Sequence, residues 1–231
     1  MPGPSGEKHG CMQCSSRSRC VLSAVEPEVL GILASRVQWV RFEKGGTIVH
    51  AGTLSTGWGI LCHGWARLTV STEQGKRLLL RFCGPGELLA ASLSGPHGFS
   101  VTAVSHCITV FVAREHVPDL GRRYPEVLVN AHLRLEEREC LLARRLVDLA
   151  YGSARQRLVR VLLELGEEHG ASEGGGVRID IPLSLRDLAE MTGASRQATC
   201  KELQVLRRER LIEVVWPRVF LSDLERLRQF R

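Results

Sequence analysis

Three cysteines near the N terminus have the spacing of ligands to a single metal centre. Cys11, Cys14 and Cys20 form a C-x2-C-x5-C pattern in a Gly/Ser-rich stretch that has neither helical nor strand periodicity. Thiolates this close together can converge on one centre, and soft sulfur ligands favour an iron–sulfur cluster or zinc. A reversible dithiol switch and unliganded surface thiols are alternatives that the spacing leaves open.

A second group of polar residues lies near the C terminus, in a segment with the spacing of a helix-turn-helix. Ser184 can cap a first helix whose buried side is Leu185, Leu188 and Ala189. Gly193 can form the turn, because a positive φ costs little for glycine. The segment that follows, from Ser195 to about residue 208, is the predicted recognition helix.

The recognition helix carries side chains that can contact bases and phosphates. Its inward face, by helical period, is Ala198, Leu203 and Leu206. Arginine and lysine can donate to guanine, and glutamine can pair with adenine in the major groove. Residues 195–210 contain five basic and two acidic side chains, an excess that suits docking on phosphates better than a merely solvated face. The predicted DNA-binding residues are Ser195, Arg196, Gln197, Thr199 and Lys201.

The elements that position these residues are predicted to form an α+β protein of four regions. A chain of 231 residues, 44% of them hydrophobic, can build two domains with real cores. Short strand-like runs between residues 37 and 113, separated by turn residues, predict a small antiparallel β-barrel or jelly roll. The predicted regions are a cysteine-rich segment (1–23), a β-barrel sensor domain (24–123), a dimerisation helix (124–152) and a winged helix-turn-helix domain (153–231).

A heptad pattern predicts that the long helix forms a dimer. Leucines recur every seven residues from Leu128 to Leu149, with His132, Glu139 and Leu146 between them, as in a coiled-coil seam. An ordinary core helix packed on the barrel is the alternative. Glu139 would face the same glutamate of the second chain across the seam, and two like charges there weaken dimerisation. The predicted dimer interface is Leu128, Leu135, Glu139, Leu142, Leu146 and Leu149.

Composition limits the partners and the cellular location. The net charge of +6 allows an anionic partner. No apolar run approaches the roughly 18 residues of a membrane span, and the N terminus has no signal-peptide core. We therefore expect a cytoplasmic protein without a membrane partner, whose eight cysteines form no disulfide framework. No nucleophile–base spacing, phosphate loop or carboxylate pair suggests an enzyme.

The order of barrel, long helix and winged helix-turn-helix resembles the CRP/FNR family of bacterial regulators over about residues 23–231. The matching pieces outside the helix-turn-helix are 44–46 (Lys-Gly-Gly), 62–64 (Cys-His-Gly) and 84–88 (Gly-Pro-Gly-Glu-Leu). The resemblance implies a homodimer on palindromic promoter DNA, with recognition helices about 34 Å apart, and RNA polymerase as a further partner. Gln197 stands where the family usually has a glutamate that accepts from cytosine, so a different base preference is expected there.

The resemblance also bears on the ligand. Glu87 matches the cyclic-nucleotide branch, but the stretch Gly98-Phe99-Ser100 lacks that branch's phosphate-binding arginine, so cyclic AMP is not expected. The N-terminal cysteine spacing is similar to that of the oxygen sensor FNR, which implies a [4Fe–4S] cluster whose fourth ligand comes from a late barrel strand. The implied ligands are Cys11, Cys14, Cys20 and Cys107, with Cys83 and then Cys62 as substitutes for the last.

The resulting hypothesis is a dimeric, DNA-binding transcription regulator that responds to oxygen or redox state through an N-terminal iron–sulfur cluster. One alternative is a regulator of the same type that senses a small molecule or haem in the barrel, where His63, His97 and His106 are candidate haem ligands. A zinc site or dithiol redox switch at the N-terminal cysteines is another alternative.

Overall fold

The structure, a computed structural model, describes residues 20–23, 25, 37–93 and 95–230. The predicted ligands Cys11 and Cys14 lie outside these residues. The chain divides into two compact units, the first containing the described residues up to 70 together with 81–139, and the second containing 71–80 with 140–230. In the part of the chain that is described, no helix is long and apolar enough to cross a membrane. The predicted four-region division stays a prediction.

Eight strands form two four-stranded sheets in the N-terminal half, in the orders β1-β8-β3-β6 and β2-β7-β4-β5. Two separate sheets fit the jelly roll that the sequence predicted, and the described strands do not close into a barrel. Edge strands β2 and β6 have only three residues each, too few to join the sheets along their length. The strands are β1 Val37–Phe42, β2 Thr47–Val49, β3 Gly57–His63, β4 Ala66–Ser71, β5 Arg77–Cys83, β6 Leu88–Ala90, β7 Ser100–Ala103 and β8 Cys107–Ala113.

A short helix, α1 (Val117–Arg123), and the long helix α2 (Pro125–Tyr151) follow the sheets. The predicted long helix is therefore present, and it begins at Pro125, whose fixed φ suits a first helical position. Gly121 allows the two helices to approach closely, since a Cβ there would lie 2.4 Å from Leu128 Cδ1.

One hydrophobic core joins the first sheet to these helices and to the described residues before β1. Trp58 and Val112 from the sheet pack with Val127 and Ala131 from the first turns of α2. Val21, Leu22 and Val25 are buried in the same core, and Cys20 packs against it. Burial of each aliphatic side chain contributes about 1.5–3 kcal/mol. The segment that follows the N-terminal cysteines is thus anchored beside the start of α2.

The second unit contains the rest of α2 and four further helices with a small sheet of order β11-β12-β10-β9. Strands β11 and β12 form a hairpin whose turn contains Pro217. β9 is a polar edge strand without apolar alternation, formed by pairing with β10. The elements are α3 Ala154–His169, β9 Gly170–Glu173, β10 Gly176–Ile179, α4 Leu185–Thr192, α5 Arg196–Arg208, β11 Ile212–Val215, β12 Arg218–Leu221 and α6 Leu224–Gln229.

A buried ion pair connects α2 and α3 inside the second unit. Arg145 Nη2 lies 2.9 Å from Glu164 Oε2, and its Nη1 donates to the carbonyl oxygen of Leu80. Burial raises the pKa of the Glu164 carboxyl, while the Arg145 guanidinium opposes that rise. The arginine thereby provides donors both for the carboxylate and for the end of the 71–80 segment.

Candidate nucleic-acid interface

The first helix of the predicted helix-turn-helix, α4, begins with a capping box. Ser184 Oγ accepts a hydrogen bond from the Asp187 amide at 3.2 Å, and the Ser184 amide donates to Asp187 Oδ2 at 2.9 Å. These reciprocal bonds satisfy amides that a helix start otherwise leaves unpaired. Leu188 and Ala189 are buried, as the sequence predicted.

The turn between the two helices depends on Gly193. Its φ of 62° lies in the left-handed region, and its amide donates to the Ala189 carbonyl. A Cβ at this position would lie 3.0 Å from Leu149 Cδ2. The turn therefore packs so closely against α2 that glycine fits there without displacing Leu149. The predicted role of Gly193 is confirmed by this geometry.

The recognition helix α5 is capped by Ser195, whose Oγ accepts from the Ala198 amide at 3.1 Å. Leu203 and Leu206 are buried as predicted, but Thr199 lies in the core instead of Ala198, which is only half-buried. The Thr199 side chain is 2% exposed and its hydroxyl donates to the Ser195 carbonyl at 3.0 Å. This burial places the Thr199 side chain in the core of the domain, and its predicted DNA contact stays a prediction.

The exposed face of α5 is strongly basic. Arg196, Gln197 and Lys201 are exposed beside the exposed capping residue Ser195. Among the described residues, none of the basic side chains at 196, 201, 207, 208 and 210 makes an ion pair, whereas Glu202 is paired with Arg155 at 2.7 Å. Unpaired cations at the start of a capped, exposed helix are suited to phosphates and to guanine.

Two features of the domain surface were not singled out from the sequence. The β11–β12 hairpin forms the wing of the helix-turn-helix domain. Trp216 and Arg218, at and next to its turn, are exposed. A proline between two short apolar runs is typical of a hairpin turn, but it does not indicate which side chains of the hairpin are exposed. The Arg155–Glu202 pair joins residues 47 positions apart, and no short sequence pattern signals such a pair.

The predicted seam of α2 is largely exposed within one chain. Leu128, Leu135, Leu142 and Leu146 are 42%, 46%, 39% and 67% exposed, and Glu139 is exposed as well. Leu149 differs, because it is half-buried and contacts the turn at Gly193. Further apolar side chains that the heptad count did not include are also exposed on α2: Val129, Leu133, Val147 and Tyr151. An apolar surface of this extent is typical of an interaction site.

The described cysteines do not form a metal site. Cys107 is fully buried, its thiol donates to the Trp65 carbonyl at 3.1 Å, and burial raises its pKa. Cys83 is also buried, whereas Cys20 and Cys62 are half-buried. Within the described ranges, no three His, Cys, Asp or Glu side chains are grouped so that they could hold a metal ion.

The segment that resembles the cyclic-nucleotide branch is occupied by internal contacts. Glu87 Oε1 accepts from the Gly84 amide at 3.0 Å, and Oε2 pairs with Arg81. Arg138 from α2 lies 3.8 Å from the same carboxylate. Burial, together with the nearby Arg81 charge, lowers the pKa of Arg138 to about 10. His97, directly before the stretch that lacks the family's arginine, is buried, and this burial lowers its pKa.

Two antiparallel sheets, a long helix and a capped helix-turn-helix with a basic face and a wing define a DNA-binding transcription regulator. Family comparison agrees: the cyclic nucleotide-binding domain matches residues 39–124 and the Crp-like helix-turn-helix domain matches residues 156–230. The chain belongs to the CRP/FNR family, whose regulators bind DNA and act as dimers.

The chain is similar to regulators over almost its whole length. It is 26% identical over 210 residues (90% of this chain, 94% of the relative) to the CRP-like cAMP-activated global transcriptional regulator of Mycobacterium tuberculosis. It is 26% identical over 231 residues (97% and 94%) to the nitrogen fixation regulation protein FixK of Bradyrhizobium diazoefficiens. A solved structure of a CooA mutant from Carboxydothermus hydrogenoformans has the same fold, with a TM-score of 0.76 at 20% identity, covering 88% of this chain and 94% of that one. These sequence relatives are named as regulators of transcription or nitrogen fixation rather than as enzymes.

Proposed function

We propose that this regulator reads a palindromic promoter site as a homodimer, through Ser195, Arg196, Gln197 and Lys201 of each recognition helix. The observation that carries the proposal is the exposed, unpaired basic face at the capped start of α5. Two-fold symmetry follows from α2, whose exposed leucines supply an apolar seam. RNA polymerase is the further partner that we propose for the promoter-bound dimer.

Selection of bound duplexes from a randomised pool tests this proposal. Two inverted half-sites centred about one helical turn apart are expected. Arg196→Ala is expected to weaken binding to the selected site about tenfold or more, because a bidentate contact to guanine contributes about 1–3 kcal/mol. Gln197→Glu is expected to shift the selected base at one position of each half-site toward cytosine.

Arg123→Ala is the control for the loss of one exposed arginine, because Arg123 ends α1 in the first compact unit and is not part of the helix-turn-helix. It is expected to leave both affinity and the selected sequence unchanged. An unsymmetrical selected site, or an Arg196→Ala variant that selects and binds the same site as the parent, contradicts the proposed reading of DNA.

We also propose that the N-terminal cysteines make this regulator responsive to oxygen or redox state. The observation that supports this proposal is the burial of Val21, Leu22 and Val25 in the same core as Val127 and Ala131, in the first turns of α2. In addition, the Asn130 side-chain amide donates to Ser23 Oγ at 3.4 Å. A chemical change at Cys20 therefore acts beside the start of the helix whose seam forms the dimer.

The described residues fit an iron–sulfur cluster only in part. Cys20 is accessible at the edge of the core, as a ligand supplied by the N-terminal segment must be. Cys107 is the poorer candidate for the fourth ligand, because its side chain is fully buried and its thiol already donates to the Trp65 carbonyl. Half-buried Cys62, at the end of β3, meets the requirement for access better.

Cyclic AMP is not the proposed effector. The Glu87 carboxylate is already engaged by Arg81 and by the Gly84 amide, and no arginine stands at Gly98 or Phe99 to neutralise a cyclic phosphate. Addition of cyclic AMP is accordingly expected to leave the DNA affinity of the protein unchanged.

A further inference from the structure

The first turn of α3 contains an arginine where a helix start disfavours one. Arg155 is the second residue of α3, directly after the capping residue Ser153 and Ala154. Helix N termini carry partial positive charge, so acidic side chains are stabilising there and cations are not. The first turn of α3 has no acidic residue. The contacts that Arg155 makes outside α3 explain its position.

The Arg155 guanidinium contacts the recognition helix and the end of the chain. Its Nε donates to Glu202 Oε2 at 2.7 Å, and its Cζ lies 5.5 Å from the centroid of the Phe230 ring, a cation–π distance. The Glu202 side chain is only 15% exposed. Partial burial reduces screening by salt, so the pair holds its geometry better than a fully exposed one.

Glu202 is a carboxylate on a helix that must approach phosphates. Its neighbours three and four positions away on α5, residues 198, 199, 205 and 206, are uncharged, so the helix itself supplies no partner. Among the described side chains, Arg155 is the cation that pairs with Glu202. Without that partner the recognition helix would present a free negative charge directly after Lys201.

We propose that Arg155 is a positioning residue of the recognition helix. By neutralising Glu202 and holding its carboxylate toward α3, Arg155 prevents that carboxylate from repelling the DNA backbone. Its contact with Phe230 fixes the guanidinium in the orientation that this pairing needs. This inference rests on the proposed role of α5 in reading DNA.

A double-mutant cycle on the full-length protein tests the inference. The probe is a mixed-sequence duplex of about 30 base pairs at low salt, which reports the sequence-independent phosphate interaction. Arg155→Ala is expected to weaken binding about tenfold, in the range measured for charges that lose their partner. Glu202→Gln is expected to bind like the parent protein. The double variant Arg155→Ala/Glu202→Gln is expected to recover most of the affinity, and Arg155→Lys to retain most of it.

Two results would overturn the inference. If the double variant stays as weak as Arg155→Ala and the slope of log K against log salt falls by about one in both, Arg155 itself contacts a phosphate. If the double variant stays weak with an unchanged slope, Arg155 only supports the fold, and thermal unfolding of the variants will show that loss.

The same measurement separates this inference from the proposed function. A parent protein that binds no duplex at any salt concentration contradicts the reading of DNA by α5. A parent protein that binds, with Arg155→Ala binding equally well, contradicts only the positioning role of Arg155.

Discussion

Adjacent residues on one helix can differ sharply in environment, as Ala198 and Thr199 show. A helical period of 3.6 residues leaves neighbouring positions ambiguous at the edge of a buried face, and the apolar residue was predicted to lie inside. Thr199 is the one buried by the packing of α5 in the domain, and its hydroxyl donates to the Ser195 carbonyl four positions earlier. That bond removes most of the cost of burying a hydroxyl. The local bond thus allows a threonine to occupy the inward position that hydrophobicity assigns to the alanine.

The turn glycine of the helix-turn-helix provides a test at the scale of one residue. Gly193→Ala is expected to destabilise the protein by more than the roughly 1–2 kcal/mol that a left-handed φ costs an L-residue, because its Cβ would lie 3.0 Å from Leu149. Gly174→Ala is the matched control. The φ of Gly174, 55°, is similar, and nothing lies within 4 Å of the Cβ that an alanine would add. Urea unfolding gives the two free energies. Equal losses would contradict a contribution from the Leu149 contact.

At the scale of secondary structure elements, α2 has two different surfaces. Val127 and Ala131 are buried against the first sheet, whereas the leucines of the predicted seam are exposed in a single chain. The heptad count predicted the second surface, because a seam is a property of spacing along one helix. It could not predict that Leu149 contacts the turn at Gly193, since that contact depends on where α4 lies.

The seam predicts an effect of Glu139 on dimerisation. Glu139→Ala is expected to strengthen the dimer several-fold in protein prepared without metal, because two facing carboxylates no longer repel. Glu136→Ala is the charge-matched control: Glu136 is exposed on the same helix but outside the heptad positions, and its loss should change nothing. Sedimentation equilibrium measures both dissociation constants. If dimerisation and DNA affinity are unchanged in Glu139→Ala, repulsion at the seam does not regulate the dimer.

At the scale of the whole molecule, the proposed regulation requires a connection from the N-terminal cysteines to α5. Within the first unit, Val21, Leu22 and Val25 share a core with the start of α2. Within the second unit, Arg145 joins α2 to Glu164 of α3, and Leu149 meets the turn of the helix-turn-helix. The long helix is therefore in contact with both the segment that follows the cysteines and the DNA-binding domain.

Purification without oxygen tests the sensing proposal. A brown protein with about four iron and four sulfide per subunit is expected, and Cys20→Ser should abolish both the colour and the iron. Cys107→Ala is expected to retain the metal because this thiol is fully buried and donates to the Trp65 carbonyl, whereas Cys62→Ser is expected to lose it. Bound zinc without sulfide would support a zinc site instead. A colourless protein with neither metal would contradict the cluster and leave DNA binding intact.

The sequence by itself determined the helix-turn-helix, the long helix and the strand-rich N-terminal half. Caps such as Ser184 and Ser195, the glycine turn and the leucine repeat all depend on residues within a few positions of one another, so their spacing carries the information. Only the tertiary structure decided that Thr199 and Cys107 are buried, that β9 is a strand, and that Arg155 neutralises Glu202. Those facts arise from contacts between residues distant in sequence, which depend on how the elements pack together.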